Sequence, residues 1–355
     1  AGPVAMLIGS EIRKESYTDG RDPRINGEIP YTVPTGPKAG LTFPLISDIV
    51  NSSATPESNG GRETLSLFTE LLIPLAENID MQYAIRGEDS SDYGEAIVTK
   101  LALGWQATEQ LKLRYAQSET FRAPALILVN EGFLGRSSST TDDLYEYASG
   151  ANYDQYSMQR ITEGNPGLTP ELGENESYGV IFEPTDGMVL TIDWWSIETE
   201  DTIGIFGMSN AILLDTLIRI EGGPTECVGN PNVTRTAFAG GLGFDWPSTL
   251  CPAGEVQSVN DFYVNTDKRT IEGVDTSLVM NFDTDVGRFG VKLVNVHYNT
   301  KNQEAGGAAR ALSDAGQPGG TLAGIAPVRG IDNILGLDGS VEDKFTAKLS
   351  YRNGP

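Results

Sequence analysis

The sequence predicts an all-β fold: an antiparallel up-and-down sheet of about ten strands, of the kind that forms a large transmembrane β-barrel. Three observations predict it. Apolar residues recur at every second position in run after run. The two faces so defined are unlike, one apolar and one charged. Short connections alternate with longer ones, so every long loop leaves the same end of the sheet.

Each strand is read from its two faces. Residues 3–17 (PVAMLIGSEIRKESY) begin apolar and end charged, which weakens their phase. Residues 18–61 are polar, punctuated by Asp, Gly, Pro and Asn, and predict no helix. In 62–74, Leu65, Leu67, Thr69, Leu71 and Ile73 oppose Ser66, Phe68, Glu70 and Leu72. In 79–87, Met81, Tyr83 and Ile85 oppose Gln82, Ala84 and Arg86. In 95–106, Ile97, Thr99, Leu101, Leu103 and Trp105 oppose Val98, Lys100, Ala102 and Gly104. Leu111, Leu113 and Tyr115 then oppose Lys112, Arg114 and Ala116. The pattern resumes over 176–185 and again from Met188 to Trp195. It returns over 268–282 and 341–352, while 287–299 has a poor phase.

The connections at 75–78, 107–109, 185–187 and 283–287 are short. Those at 18–61, 88–94, 120–173, 200–262 and 300–340 are mostly long. Loops of such length are uncommon in compact soluble domains. Outer-membrane barrels carry long extracellular loops and short periplasmic turns. Trp105, Tyr115, Trp194, Phe282 and Tyr351 are placed near strand ends, where an interfacial girdle needs amphipathic rings. The opposite face carries Lys100, Lys112, Arg114, Asp193, Asp275, Lys344, Lys348 and Arg352. A dry core does not hold that many charges, whereas a watered or plugged lumen does.

Composition narrows the function. With 25 Lys plus Arg against 49 Asp plus Glu, the chain carries a net charge of −24, which argues against a basic nucleic-acid surface. One His and two Cys leave little for a His/Cys metal site, and no cofactor is expected. No apolar run is long enough for a transmembrane helix, which is silent about strands. Cys227 and Cys251 lie in one long loop, where an exported chain favours a disulfide over two free thiols. Residues 205–221 have helical spacing at Ile212, Leu213, Leu217 and Ile220 and predict a loop helix that packs. Asp142, Asp143, Tyr145, Tyr147, Tyr153 and Tyr156 gather at a loop tip. Such a set can platform a sugar or a cation, or be a solvated loop. The acid pairs Asp142/Asp143 and Asp283/Asp285 lack an EF-hand pattern, and His297 reads as structural.

The run GEDSSDYGEAIVTKLALGWQATEQLKLRYAQSETFRAPAL resembles the barrel domain of TonB-dependent outer-membrane receptors. Its closing segment is Phe121, Arg122, Ala123 and Pro124. The return motif is Asn165, Pro166, Leu168, Pro170 and Glu171, followed by the strand glycine Gly179. Gly273 and Asp275, within RTIEGVDTSL, resemble a later family strand. Two positions depart from the family: Thr169 stands where Lys is usual, and Ser177 where Glu is usual. The resemblance implies a section of a roughly 22-stranded barrel. It also implies that the plug domain and the remaining strands are absent from this chain, so that this piece alone does not transport. It further implies an outer-membrane lipid setting, the TonB–ExbB–ExbD system as partner through the plug, and uptake of a scarce small-molecule ligand, a metal chelate or an oligosaccharide. No catalytic residue is expected. The contrasting reading is a secreted soluble β protein, a lectin or carbohydrate-active enzyme, which needs both sheet faces covered.

Overall fold

The computed structural model describes residues 2–43, 47–49, 53–132, 134–141, 143, 145, 156–238, 247–324, 332–337 and 339–353. Ten long strands follow one another in chain order through a single antiparallel sheet. They are β1 (Ala5–Asp19), β2 (Ser58–Ala76), β3 (Ile79–Ser90), β4 (Gly94–Gln106), β5 (Leu111–Arg122), β6 (Glu171–Thr185), β7 (Met188–Glu200), β8 (Arg269–Thr284), β9 (Gly287–Gln303) and β10 (Asp343–Arg352). A two-residue strand, Asp332–Asn333, pairs with the far end of β9. β1 and β10 are the outer strands, and the sheet is open between them.

The register keeps the apolar residues on one side. Leu67, Thr69 and Leu71 of β2 lie opposite Gly87, Ile85 and Tyr83 of β3. Those in turn oppose Ile97, Thr99 and Leu101 of β4. The neighbouring row, Ile73, Met81 and Leu103, continues through Tyr115 of β5, Tyr178 of β6 and Trp194 of β7, to Val274 of β8. This face is not covered: Ile97 is 68% exposed and Leu349 is 74% exposed. A continuous apolar face of that kind fits lipid rather than water. The aromatic rings on it stack across strands, Tyr115 on Tyr178 at 5.1 Å and Tyr178 on Trp194 at 5.4 Å between centroids. Near the short turns Phe282, Phe289 and Tyr351 form a second row at 5.6 and 5.0 Å.

Tyr115 and Trp194 lie in mid-strand, not at the strand ends that their sequence positions predict. The strands run on past them, and there the outward positions turn polar. Glu119, Glu174 and Glu198 occupy one register row across β5, β6 and β7. On β5, β6 and β7 the apolar band therefore stops at the aromatic row while the hydrogen-bonded wall continues beyond it, whereas on β2 and β4 Leu67 and Ile97 carry the apolar face further.

The poor phase of 287–299 has a physical cause. Val291 and Leu293 face outward with Met280 and Leu278, while Val294 and Val296 face inward with Ser277 and Asp275. Both faces of β9 are apolar, and a register shift between Glu272 and Gly273 breaks the alternation further. The segment 18–61, which predicts no helix, holds a helical turn among its described residues, α1 (Pro23–Asn26). Its N-cap Asp22 accepts a hydrogen bond from the Arg24 amide.

The buried core lies in the long loops rather than in the wall. Connections 123–170, 201–268 and 304–342 assemble into one cap. Helix α2 (Leu126–Asn130) leads into strand Leu134–Thr141, and helix α3 (Met208–Gly222) forms where the spacing predicts it. A four-stranded sheet orders Val233–Arg235, Val256–Asn260, Tyr156–Thr162 and Leu134–Thr141, with the central pair parallel. Ala211 and Ile212 of α3 pack on Met158, Val233, Val256 and Val259 of this sheet. Leu213 and Leu217 pack the other side of α3 against Leu312 and Ala315 of α4 (Gly307–Gly316) and against Leu322. Each fully buried aliphatic side chain here contributes roughly 1.5–3 kcal/mol of burial.

Candidate functional site

The motif residues tie the cap to the wall. Arg122 ends β5 and forks onto Glu171, which begins β6, with Nε and Nη2 each 2.5 Å from a carboxylate oxygen. Glu171 is buried and also accepts the Ile203 amide at 2.6 Å. The clamp closes the base of the 123–170 excursion. Phe121 meets the Tyr93 ring at 6.1 Å, and Ala123 is half-buried beside Pro124. Pro124 is buried, and its carbonyl accepts a hydrogen bond from the buried Arg62 guanidinium. The return motif is a turn. Asn165 Oδ1 accepts the Gly167 amide at 2.8 Å, Pro166 takes the position that favours its fixed φ, and Asn165 Nδ2 donates to the Tyr263 carbonyl. Leu168 is buried, and Pro170 leads into β6. Thr169 exchanges two backbone hydrogen bonds with the Asn265 side chain. Because the backbone makes that contact, a Thr in place of the family's usual Lys leaves it intact.

Gly179 has a steric reason. It lies opposite Arg114 on β5 and Asp193 on β7, and these two join over it at 2.8 and 2.5 Å. A Cβ on Gly179 would sit 2.0 Å from Asp193 Oδ1 and 2.5 Å from Arg114 Nε. Gly273 plays the same part for Trp195, whose ring would lie 2.6 Å from an added Cβ. Trp195 Nε1 donates to Asp275 at 2.9 Å. A Gly179→Ala variant should break the solvent-exposed Arg114–Asp193 bridge and cost about 0.5–1 kcal/mol. The check is the midpoint of denaturant-induced loss of the folded band. An unchanged midpoint, or an equal loss from Gly179→Ala in an Asp193→Ala background, would show that the arch over the glycine does not matter.

Half of the loop-tip set falls within the described residues. Asp142, Tyr147 and Tyr153 lie outside the described residues. Asp143 and Tyr145 are fully buried. Asp143 pairs with Arg235 at 2.5 and 2.9 Å and accepts the Tyr156 hydroxyl at 2.9 Å. Arg235 Nε also reaches Asp215 at 2.7 Å, and Asp215 holds Arg219 at 2.9 Å. Both arginines lie over the Tyr145 ring, at 5.5 and 5.7 Å. Burial works against the Arg235 charge, but Asp143 and Asp215 outweigh it and hold its pKa above the ordinary value. Burial, then the Asp143 charge, pushes the Tyr156 phenol up. These side chains are the polar knot of the cap. The sequence gives no sign of it, because its partners lie far apart in the chain. Cys227 and Cys251 are disulfide-bonded, and the Cys251 carbonyl accepts the Tyr145 hydroxyl at 2.7 Å. Asp283 pairs with Arg288 across the β8–β9 turn, and His297 pairs with Asp343 at 3.0 Å.

Under the cap, beside the outer ends of β8 and β9, lies a cavity of about 530 Å³. Its walls include the antiparallel ribbon Thr202–Ile205 and Tyr263–Thr266, which rises above the β7–β8 pair. The start of α4 and side chains from α3 complete it.

The family described as TonB dependent receptor-like, beta-barrel matches residues 7–354. The chain belongs to this family. Its solved structural neighbours include the ferric enterobactin receptor PfeA of Pseudomonas aeruginosa, at 17% identity and a TM-score of 0.51, covering 87% of this chain and 34% of that one. The siderophore receptor PirA of Acinetobacter baumannii aligns at 16% identity and a TM-score of 0.50, over 98% of this chain and 45% of that one. At this identity the likeness is one of fold. The chain spans less than half the length of either structure. No curated protein matches the chain significantly. The polar face of the ten-stranded wall is accordingly the lumen side of a receptor-type barrel, and the short turns and the cap lie at its opposite ends.

Proposed function

We propose that this chain is a barrel section of an outer-membrane receptor that takes up a scarce ligand, a metal chelate or an oligosaccharide, with energy from the TonB–ExbB–ExbD system. The observation that carries the reading is the wall with two unlike faces beneath a cap that encloses a cavity. Lipid covers the outward face, the cap meets the ligand, and the plug and remaining strands of the full receptor complete the lumen. Transport makes and breaks no covalent bond of the ligand, so the residues position and release rather than react. A soluble lectin or hydrolase would leave Ile97, Leu349 and their neighbours in water.

The test uses the full-length receptor extracted from outer membranes. It should require detergent and migrate differently on a gel before and after heating. Ile192 faces outward between Val180 and Thr276. Ile192→Arg should lower the folded, heat-modifiable fraction, at a cost of about 2–4 kcal/mol. Thr191→Arg, on the lumen side, should be tolerated. Equal tolerance of the two, or a protein soluble without detergent, would end the membrane reading.

A further inference from the structure

We propose that the cavity beneath the cap binds a neutral, hydroxyl-rich ligand of the saccharide class. The inference rests on the uptake reading above and names the ligand chemistry of one site within it.

The cavity has two kinds of wall. Ile205, Phe206 and Val264 give it an apolar side. Asn210, Asn232 and Arg269 give it a polar side. Their hydrogen-bonding capacity is incompletely used. Arg269 donates Nε to Gln303 at 3.0 Å, and its terminal nitrogens have no hydrogen-bond partner among the described residues. Asn210 donates Nδ2 to the Phe206 carbonyl, which leaves its Oδ1 as an open acceptor. The Asn232 side chain is exposed at the cavity and has no partner among the described residues. The site thus offers both donors and acceptors beside an apolar strip. A sugar ring matches that division, since its hydroxyls donate and accept while its C–H face is apolar.

Charge argues against the other ligand class. Asp267 already accepts the Gly306 amide at the start of α4, so the positive end of that helix is answered by a carboxylate. Glu304 adds a second acid to the lining, and Arg269 is the one cation among the described lining residues. A polyanionic ferric chelate would meet two carboxylates and a single guanidinium. A neutral saccharide carries no such penalty, and Glu304 can accept its hydroxyls. The volume lies within the range of small-molecule sites.

The experiment applies the full-length receptor in detergent to an array of neutral oligosaccharides, with hits measured by calorimetry and ferric enterobactin as the comparison probe. At least one neutral glycan should bind. Asn232→Ala should weaken it about 3- to 10-fold and Arg269→Gln more than about 10-fold, with heat-modifiable migration unchanged. If no glycan binds, or if both variants bind as the parent does, the inference fails. If ferric enterobactin binds and the two variants weaken it, the cavity takes chelates. That outcome overturns the saccharide assignment and leaves the uptake reading standing. The uptake reading has its own separate failure, a protein that neither needs detergent nor shifts on heating.

Discussion

Arg235→Met should open the cap while the wall stays folded. Arg235 is buried between two carboxylates, Asp143 and Asp215, both of them fully inaccessible. Removing the guanidinium leaves Asp143 with the Tyr156 hydroxyl alone as a side-chain donor among the described residues. A buried ion pair broken from one side typically costs about 3–5 kcal/mol. Lysine should rescue poorly, because its compact ammonium cannot reproduce the fork that reaches Asp143 through Nη1 and Nη2 and Asp215 through Nε. The check is limited proteolysis of the receptor in detergent, followed by the heat-modifiability gel. Rapid cleavage within 123–170 or 201–268, with the shifted band retained, is the expected pair of results. Cleavage at the parent's rate would mean that the knot does not hold the cap. Adding Asp143→Asn to Arg235→Met should recover part of the loss, since the more isolated charge is then gone.

Replacing both Cys227 and Cys251 with alanine should produce a loss of similar size by a different route. The bridge joins residues 24 positions apart. In the chain-entropy account, closing a loop of that order contributes roughly 3–4 kcal/mol by restricting the unfolded chain. Cys227 follows α3 and Cys251 precedes the strand Val256–Asn260, so the bridge holds the helix to the sheet on which it packs. The expected readout is a lower temperature for the onset of cap proteolysis, reproduced in the parent by a reductant. A reductant with no effect on the parent would sink the prediction. The two losses should not add. Tyr145 touches both sites, its hydroxyl on the Cys251 carbonyl and its ring under Arg235. A cap opened by one change therefore has less to lose from the other.

The wall was legible because each strand states its faces locally. Leu101, Leu103 and Trp105 alternate with Ala102 and Gly104, and that alternation survives unchanged in the register with β3 and β5. Where legibility failed, a second demand was present. In β9 both faces are apolar, so alternation carries no information. The charged second half of β1 stays in the wall because its pairing with β2 runs on to Asp19 and Ser58. The cap was legible at α3, whose spacing is local, and at the Cys227–Cys251 bridge, whose two cysteines are the chain's only ones. The burial of Asp143 depends on Arg235, and that of Met158 on Val233 and Val256, across long stretches of chain. Nothing near Asp143 in the sequence distinguishes a carboxylate inside a knot from one at a solvated tip.

Helix α3 packs on two separate groups of residues, one from the four-stranded sheet and one from α4 with Leu322. It is thus a shared wall between loops that leave three different hairpins. Loss of order in any one of them exposes a face of α3 and removes support from the others. The three connections should therefore open together rather than loop by loop.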